Sequence, residues 1–187
     1  MGRWEPDADG RLARAALDLY AERGFEQTTV ADIARRAGVT ERTFFRYFAD
    51  KREVLFKRSA ALQDVIVESI DLAPPAMSPI DTVGAAVTCA ASMIQENREF
   101  AGQRAAVIAA NPSLQERELL KLANLGTAAA EALRRRGVPD LTARLAAETG
   151  VTIFSAGFER WLSEPPALQF DQCITEALVE LKAMTSQ

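Results

Sequence analysis

The chain is predicted to be all-α: an N-terminal three-helix helix-turn-helix domain followed by a larger helical domain, about nine helices in all. Three observations predict this. Apolar residues recur at helical spacing along most of the 187 residues, strand-like alternation is missing, and helix caps or breakers stand where the periodicity lapses. The length allows one domain, or a small domain plus a larger one, with a sizeable core.

Met1 to Asp9 combines glycine, proline and charge without periodicity and reads as a flexible arm. Helix one follows from Arg11, with Leu12, Ala15, Ala16, Leu19 and Tyr20 as its apolar stripe and Gly24 as its C-terminal cap. Phe25 closes the core just past that turn. Thr29 with Asp32 has the spacing of a capping box and starts helix two. Gly38 marks a bend that needs positive φ, and Thr40 caps helix three. Asp50 with Glu53 repeats the capping signature, so a linking helix of about twenty residues is expected from Lys51, carrying Val54, Leu55, Leu62, Val65, Ile66 and Ile70. It ends at Leu72-Ala-Pro-Pro, because proline cannot continue a helix.

Beyond the prolines only helices are expected. They run from Ile80 to Glu96, from Arg98 to Ala110, from Pro112 to the stop Arg134-Arg-Arg-Gly137, from Asp140 to Ser163 before Glu164-Pro-Pro166, and from Gln169 to Met184. The domains divide accordingly: 1–50 for the helix-turn-helix, 51–58 for the start of the linking helix, and 59–187 for the rest.

Helices two and three meet through Ile33, Ala37, Val39 and Phe44, while the small Ala34 lets them cross near a right angle. Glu41, Arg42, Thr43, Phe45 and Arg46 are then left facing outward as a ridge, of a width that enters a DNA major groove about 12 Å across. Net charge is −4, but residues 1–58 hold 12 basic and 10 acidic side chains and the remainder 10 and 16, so the reader is +2 and the rest −6. Arg35, Arg36, Arg42, Arg46, Lys51 and Arg52 cluster around the ridge.

The run Thr29-Val-Ala-Asp-Ile-Ala-Arg-Arg-Ala-Gly-Val-Thr40, then Thr43-Phe-Phe-Arg-Tyr-Phe48, then Asp50-Lys-Arg-Glu-Val-Leu-Phe56, resembles the DNA-binding domain of the TetR family of one-component bacterial repressors. With the preceding helix the likeness covers the first 58 residues or so; the remainder matches that family in size and helical character. The resemblance implies a homodimer that binds an inverted-repeat operator in double-stranded DNA and answers to a small-molecule effector. Phe45 stands where the family often has tyrosine, so a hydroxyl for a phosphate is missing there.

The same residues supply the candidate sites. Arg42 and Thr43 are expected on base edges, since arginine pairs with two acceptors of guanine and threonine meets a thymine methyl. Thr40, Arg46, Tyr47 and Lys51 are expected on phosphates, Phe45 on sugar or a methyl, and Thr29 completes the DNA-facing set. Arg3 is a candidate minor-groove finger. A ligand pocket is expected among Met93, Phe100, Arg104, Ile108, Leu120, Asn124, Thr127 and Phe158, with Arg104 suited to a carboxylate or phosphate. By spacing alone the stripes of the last two helices, with Phe154, Trp161, Ile174, Leu178 and Leu181, suit the monomer's own core; the resemblance implies instead that they are the dimer surface, which in a pair would form a four-helix bundle.

Histidine is absent, which removes Ser-His-Asp and Cys-His catalysis and leaves two distant thiols as a poor zinc site. No catalytic residue, metal site or cofactor is expected, and no membrane span, since the longest nearly uncharged run, Val83 to Ile94, is too short. Cys89 and Cys173 are expected as buried free thiols in a cytoplasmic protein. Two other readings compete: a helical ligand-binding protein or enzyme with an accessory helix-turn-helix, and an architectural DNA protein without an effector.

Overall fold

A computed structural model of the chain describes residues 7–165 and 167–185. Its elements are α1 (Ala8–Arg23), α2 (Val30–Arg36), α3 (Glu41–Tyr47), a single 3-10 turn (Glu53–Phe56), α4 (Ser59–Leu72), α5 (Pro79–Gln95), α6 (Arg98–Ala109), α7 (Pro112–Arg135), α8 (Asp140–Ser163) and α9 (Phe170–Thr185). Among the described residues the regular structure is thus all helical. Arg3 and Pro166 lie outside them. Helix α1 starts earlier than its apolar stripe implies, because the Asp7 carboxylate accepts from the Gly10 amide at 3.2 Å and caps it. Asp9 therefore sits in the first turn, where the Lys57 ammonium holds its carboxyl below the usual range.

The expected linking helix from Lys51 is replaced by two pieces. Asp50 does cap, its carboxylate taking the amides of Arg52 at 2.7 Å and Glu53 at 3.1 Å, but the segment it starts is a 3-10 turn, and α4 begins only at Ser59. Val54, Leu55 and Phe56 are all buried in one core. Exposed Lys57 and Arg58 then redirect the chain.

The chain divides into two compact units. The first comprises everything up to Lys57 together with Glu99–Glu118; the second comprises Arg58–Arg98 and the chain from Leu119 onward. The expected boundary, with all of 59–187 in the second domain, therefore misplaces most of α6 and the head of α7. Val107, Ile108 and Leu114 share one core with Leu12, Leu19, Phe25, Ile33, Phe44 and Phe56, and Phe100 packs against it. Helical spacing marks an apolar face but does not say which core that face joins.

In the second unit α5 is central and packs against α4, α8 and α9. Close approach depends on missing side chains: a Cβ on Gly150 would lie 2.0 Å from Val83 Cγ1, and one on Gly157 would lie 3.2 Å from the Ile174 backbone nitrogen. Arginines satisfy chain ends that helices leave open. Arg136 donates to the carbonyls of Ala73 at 2.7 Å and Pro74 at 2.9 Å beyond α4, and Arg98 donates to those of Leu162, Glu164 and Pro165 beyond α8. Phe154, Phe158, Trp161 and Phe170 form an aromatic cluster in which Trp161 and Phe170 stack at 5.0 Å.

That cluster corrects the expected dimer surface. Phe154, Trp161 and Ile174 are buried within their own protomer, the half-buried Leu178 leans on Gly84, and Leu181 is half-buried. Their small-residue partners, Gly150 and Gly157, serve α5 and α9 of the same chain. Cys173 is buried as expected, but Cys89 is exposed; both thiols are free. Among the described residues no helix is long and apolar enough to cross a membrane.

Candidate nucleic-acid interface

The first unit is built to present α3. Thr29 accepts from the Asp32 amide at 3.1 Å while Asp32 accepts from the Thr29 amide at 3.2 Å, a reciprocal box that fixes the start of α2. The Thr29 hydroxyl, then its amide, hold the Asp32 carboxyl below the usual range. Gly38 turns the chain at φ 70°, and Thr40 caps α3 by accepting from the Thr43 amide at 3.2 Å. One turn further, Phe44 is fully buried and packs its ring against Phe48 at 5.5 Å, which fixes the roll of α3 about its own axis.

With Phe44 inward, the ridge comes out as the sequence implies. Thr40, Arg42, Phe45, Arg46 and Tyr47 are exposed and Thr43 is half-buried; Phe45 is 56% and Tyr47 39% exposed, which is unusual for large aromatic rings and leaves two apolar faces on the surface. Arg46 lies over the Tyr47 ring at 4.8 Å and donates to its hydroxyl at 2.9 Å, so guanidinium and phenol stand together as one unit.

The basic cluster is less free than its count implies. Arg35 pairs with Asp32, Arg36 makes a two-pronged pair with Glu22 at 3.0 and 2.7 Å, and Arg52 pairs with Asp50 at 2.8 Å. At Asp50 burial raises the carboxyl, but Arg52 and the two capping amides outweigh it and bring it below the usual range. Of the six cations around the ridge, Arg42 alone makes no hydrogen bond or ion pair with the described residues, and Arg46 keeps its charge uncompensated beside Tyr47. The positive field of the reader is thus concentrated on α3. Sequence proximity could not show this, because Glu22 lies fourteen residues from Arg36.

Lys51 is a correction. The sequence reading puts it on a phosphate, yet its ammonium turns inward and donates to the carbonyls of Phe25 at 2.9 Å, Thr28 at 3.1 Å and Glu26 at 3.4 Å, lying 4.3 Å from the Phe25 ring centre. It fastens the α1–α2 turn instead. Nearby, buried Tyr20 donates to the Lys51 carbonyl at 2.6 Å, and its burial, with Asp50 adding, pushes the phenol far up.

The eight residues expected to line a ligand pocket are divided between the two units. Phe100, Arg104 and Ile108 belong to the first unit, while Met93, Leu120, Asn124, Thr127 and Phe158 belong to the second. Arg104, the residue suited to an anionic ligand, has an internal anion: it donates to Glu118 at 3.0 Å and to the Leu55 carbonyl at 2.7 Å. Leu120, Asn124 and Thr127 face outward, and Phe158 is part of the aromatic cluster. A different opening exists in the second unit: a solvent-open groove of about 850 Å³ between α5 and α9, lined among others by Met77, Gly84, Thr88, Cys89 and Leu178. None of the eight expected residues lines it.

Two family models match the chain. Residues 12–57 match bacterial regulatory proteins of the tetR family, and residues 77–186 match the MftR C-terminal domain. The chain belongs to the TetR family. Its members are transcriptional regulators rather than enzymes. The chain is 26% identical over 184 residues, 95% of its length and 89% of the relative's, to the putative mycofactocin biosynthesis transcriptional regulator MftR of Mycobacterium tuberculosis. It is 32% identical over 107 residues to the transcriptional regulator TcmR of Streptomyces glaucescens, a match that spans 57% of this chain and 47% of TcmR. Among solved structures, the SmeT–triclosan complex, SmeT being a repressor of Stenotrophomonas maltophilia, aligns with TM-score 0.66 at 18% identity over 95% of this chain and 90% of that one. FadR of Bacillus subtilis in complex with stearoyl-CoA aligns with TM-score 0.64 at 18% identity over 92% and 96%. These two likenesses bear on the fold.

Proposed function

We propose that the chain is a repressor that acts as a homodimer on an inverted-repeat operator and releases it when a small-molecule effector occupies the second unit. The observation that carries the reading is the exposed face of α3, where Arg42 is free, Arg46 is poised on Tyr47 and Phe45 is bare, on a helix whose roll is fixed by buried Phe44. In this reading Arg42 and Thr43 meet base edges, Arg46 and Tyr47 grip a phosphate jointly, and Phe45 packs on sugar or a thymine methyl. Thr40 and Thr29 have their hydroxyls engaged in capping, so their part is to seat the two helices against the backbone.

One seven-residue helix reads too few base pairs to select a site, so a second copy is required. For the dimer face we favour an outer stripe of α8. Leu141 and Leu145 are 67% and 60% exposed and, with the exposed small residues Thr152 and Ala156, fall within about 60° of arc along the helix. Val179 of α9 is likewise an exposed large apolar side chain. Sedimentation should give twice 20.4 kDa for the protein and 20.4 kDa for Leu145→Glu, and a wild-type monomer on duplex DNA would refute the dimeric reading.

For the effector, relatives of this fold solved with stearoyl-CoA, lauroyl-CoA and triclosan suggest a molecule with a large apolar part. Acyl-CoAs and triclosan can each be tested by thermal shift. A ligand at 100 times its dissociation constant adds about 2.7 kcal/mol, or roughly 5–11 °C for a protein of this size. The effector reading requires one such compound both to raise the melting temperature and to elute bound duplex; a compound that raises it and tightens DNA binding would reverse the assigned direction.

A further inference from the structure

Between Gln27 and Lys57 the chain carries four carboxylates, and three of them are engaged. Asp32 is held by Thr29 and Arg35, Asp50 by the amides of Arg52 and Glu53 and by the Arg52 guanidinium, and Glu53 by Arg117. The fourth, Glu41, stands exposed in the first turn of α3 and makes no hydrogen bond or ion pair with the described residues. An acid in a first turn suits the helix dipole. On the face that meets a polyanion, however, a bare carboxylate weakens binding unless it finds a donor.

Its surroundings on α3 restrict what that donor can be. Residues four apart in a helix stand about 40° apart around its axis, so Phe45 lies on the same side as Glu41, one turn further on. The exposed Phe45 ring meets the buried Phe44 ring edge-on, at 5.4 Å and 81°, which holds it in place. The Thr43 hydroxyl lies 3.0 Å from that of Thr40, so Glu41 and Arg42 are the side chains of this turn with open polar groups. One side of the helix thus offers an acceptor and an apolar face. Phosphates are acceptors themselves and repel the carboxylate. In the major groove the donors are the amines of cytosine N4 and adenine N6. Adenine sets its N7 acceptor beside the amine, which suits an amide side chain and disfavours a carboxylate. Cytosine has no acceptor on its own edge; beside its amine stands carbon 5, which an aromatic ring can cover.

We propose that Glu41 is a specificity-determining residue of the reader: its carboxylate accepts from the N4 amine of a cytosine in each half-site, and Phe45 covers carbon 5 of the same base. The inference rests on the DNA-reading role above and deepens it, naming the base that one side of α3 selects. Glutamate at this position also excludes thymine, whose O4 puts an acceptor where cytosine has its amine.

The test uses the full-length protein, wild type and Glu41→Gln, each put through selection of duplexes from a random pool. One position of each half-site should be cytosine in the wild-type pool, and that position alone should relax or turn to adenine in the Glu41→Gln pool, since an amide serves the N6 and N7 of adenine together. Glu41→Ala repeats the comparison and should relax the position without the turn to adenine. Fluorescence anisotropy then compares synthetic duplexes with cytosine, 5-methylcytosine or thymine there, each opposite its Watson–Crick partner. Wild type should bind 5-methylcytosine at least as well as cytosine and thymine about tenfold or more weakly, although thymine carries the same methyl; in Glu41→Gln thymine should come within about threefold of cytosine. Identical pools for wild type and variants overturn the proposal, as does a change at a position that is not cytosine in the wild-type pool. A change spread evenly over all positions also overturns it, being what altered repulsion or helix stability alone would give. Rejection of 5-methylcytosine as strong as that of thymine overturns it too, because the methyl and not the amine would then be read. A wild-type pool without enrichment refutes the DNA-reading role itself, a failure seen before any variant is made.

Discussion

Replacing Lys51 by Met separates two accounts of that residue. The substitution keeps an unbranched apolar stem over Phe25 and removes the ammonium, leaving the carbonyls of Phe25 and Thr28 without the donor that now sits at 2.9 and 3.1 Å. Hydrogen bonds to charged groups contribute about 1.5–3 kcal/mol each, and the contact with the Phe25 ring adds about 0.5–1. Water reaches part of this half-buried site and replaces some of that, so a net loss of about 3 kcal/mol is expected. For a chain of this length that is a fall of roughly 6–12 °C in melting temperature, while a fold stable by 5–15 kcal/mol (the usual range, approximately) remains intact at 25 °C. DNA binding should then keep its salt dependence, with the slope of log K against log salt unchanged to within about 0.5. A phosphate contact in each protomer would instead remove about 1.8 from that slope and leave the melting temperature alone. Anisotropy titrations at several salt concentrations, with melts on the same samples, decide between them; a shallower slope with an unchanged melt would refute the inward assignment.

The same structure leads to other outcomes. Arg42→Ala should cost about 1–3 kcal/mol on the best duplex and relax selectivity at one base pair, measured by competition between operators that differ at single positions. Gly126→Ala should stabilise by up to about 1 kcal/mol, because its Cβ would meet Val151 Cγ2 at an ordinary 3.5 Å and alanine favours the helix. Gly157→Ala should destabilise by about 1–3 kcal/mol, since the new carbon would meet Ile174 Cγ1 at 2.8 Å and its backbone at 3.2 Å; urea unfolding of the two variants tests the opposite signs. Asp32 has a lowered pKa in the fold, so its stabilising effect is present above the unfolded value of about 3.9 and is lost as pH falls through the folded one. The melting-temperature gap between wild type and Asp32→Asn should therefore be widest above about pH 5 and close toward pH 2; a gap that ignores pH would contradict it.

Local chemistry is readable in the sequence and distant pairing is not. Thr29 with Asp32, Gly38 and Thr40 place the starts of α2 and α3 because a cap and its amide lie three residues apart. The rolls of α1 and α3 are readable too, since one buried stripe at helical spacing fixes a short helix: Leu12, Leu19 and Phe44 are inside and Arg42 and Phe45 outside. Asp50 and Glu53 carry the same signature, yet the segment they start is a single 3-10 turn, which a test of periodicity does not separate from the start of a helix. The fates of Lys51, Arg104 and Arg117 depend on partners 14 to 64 residues away and leave no trace in spacing. Likewise the apolar faces at Phe100 and Ile108, and at Phe154 and Trp161, are real but join cores within their own protomer rather than a pocket or a partner.

The central claim is that α3, fixed by Phe44 and doubled by symmetry, reads a DNA sequence. Selection of bound duplexes from a random pool by the full-length protein tests it most directly. The account predicts an enriched inverted repeat whose half-site centres lie about 34–36 Å apart or somewhat more, with enrichment lost in Arg42→Ala. A pool that emerges unenriched over bulk DNA, at salt where the protein still binds duplex, would contradict it.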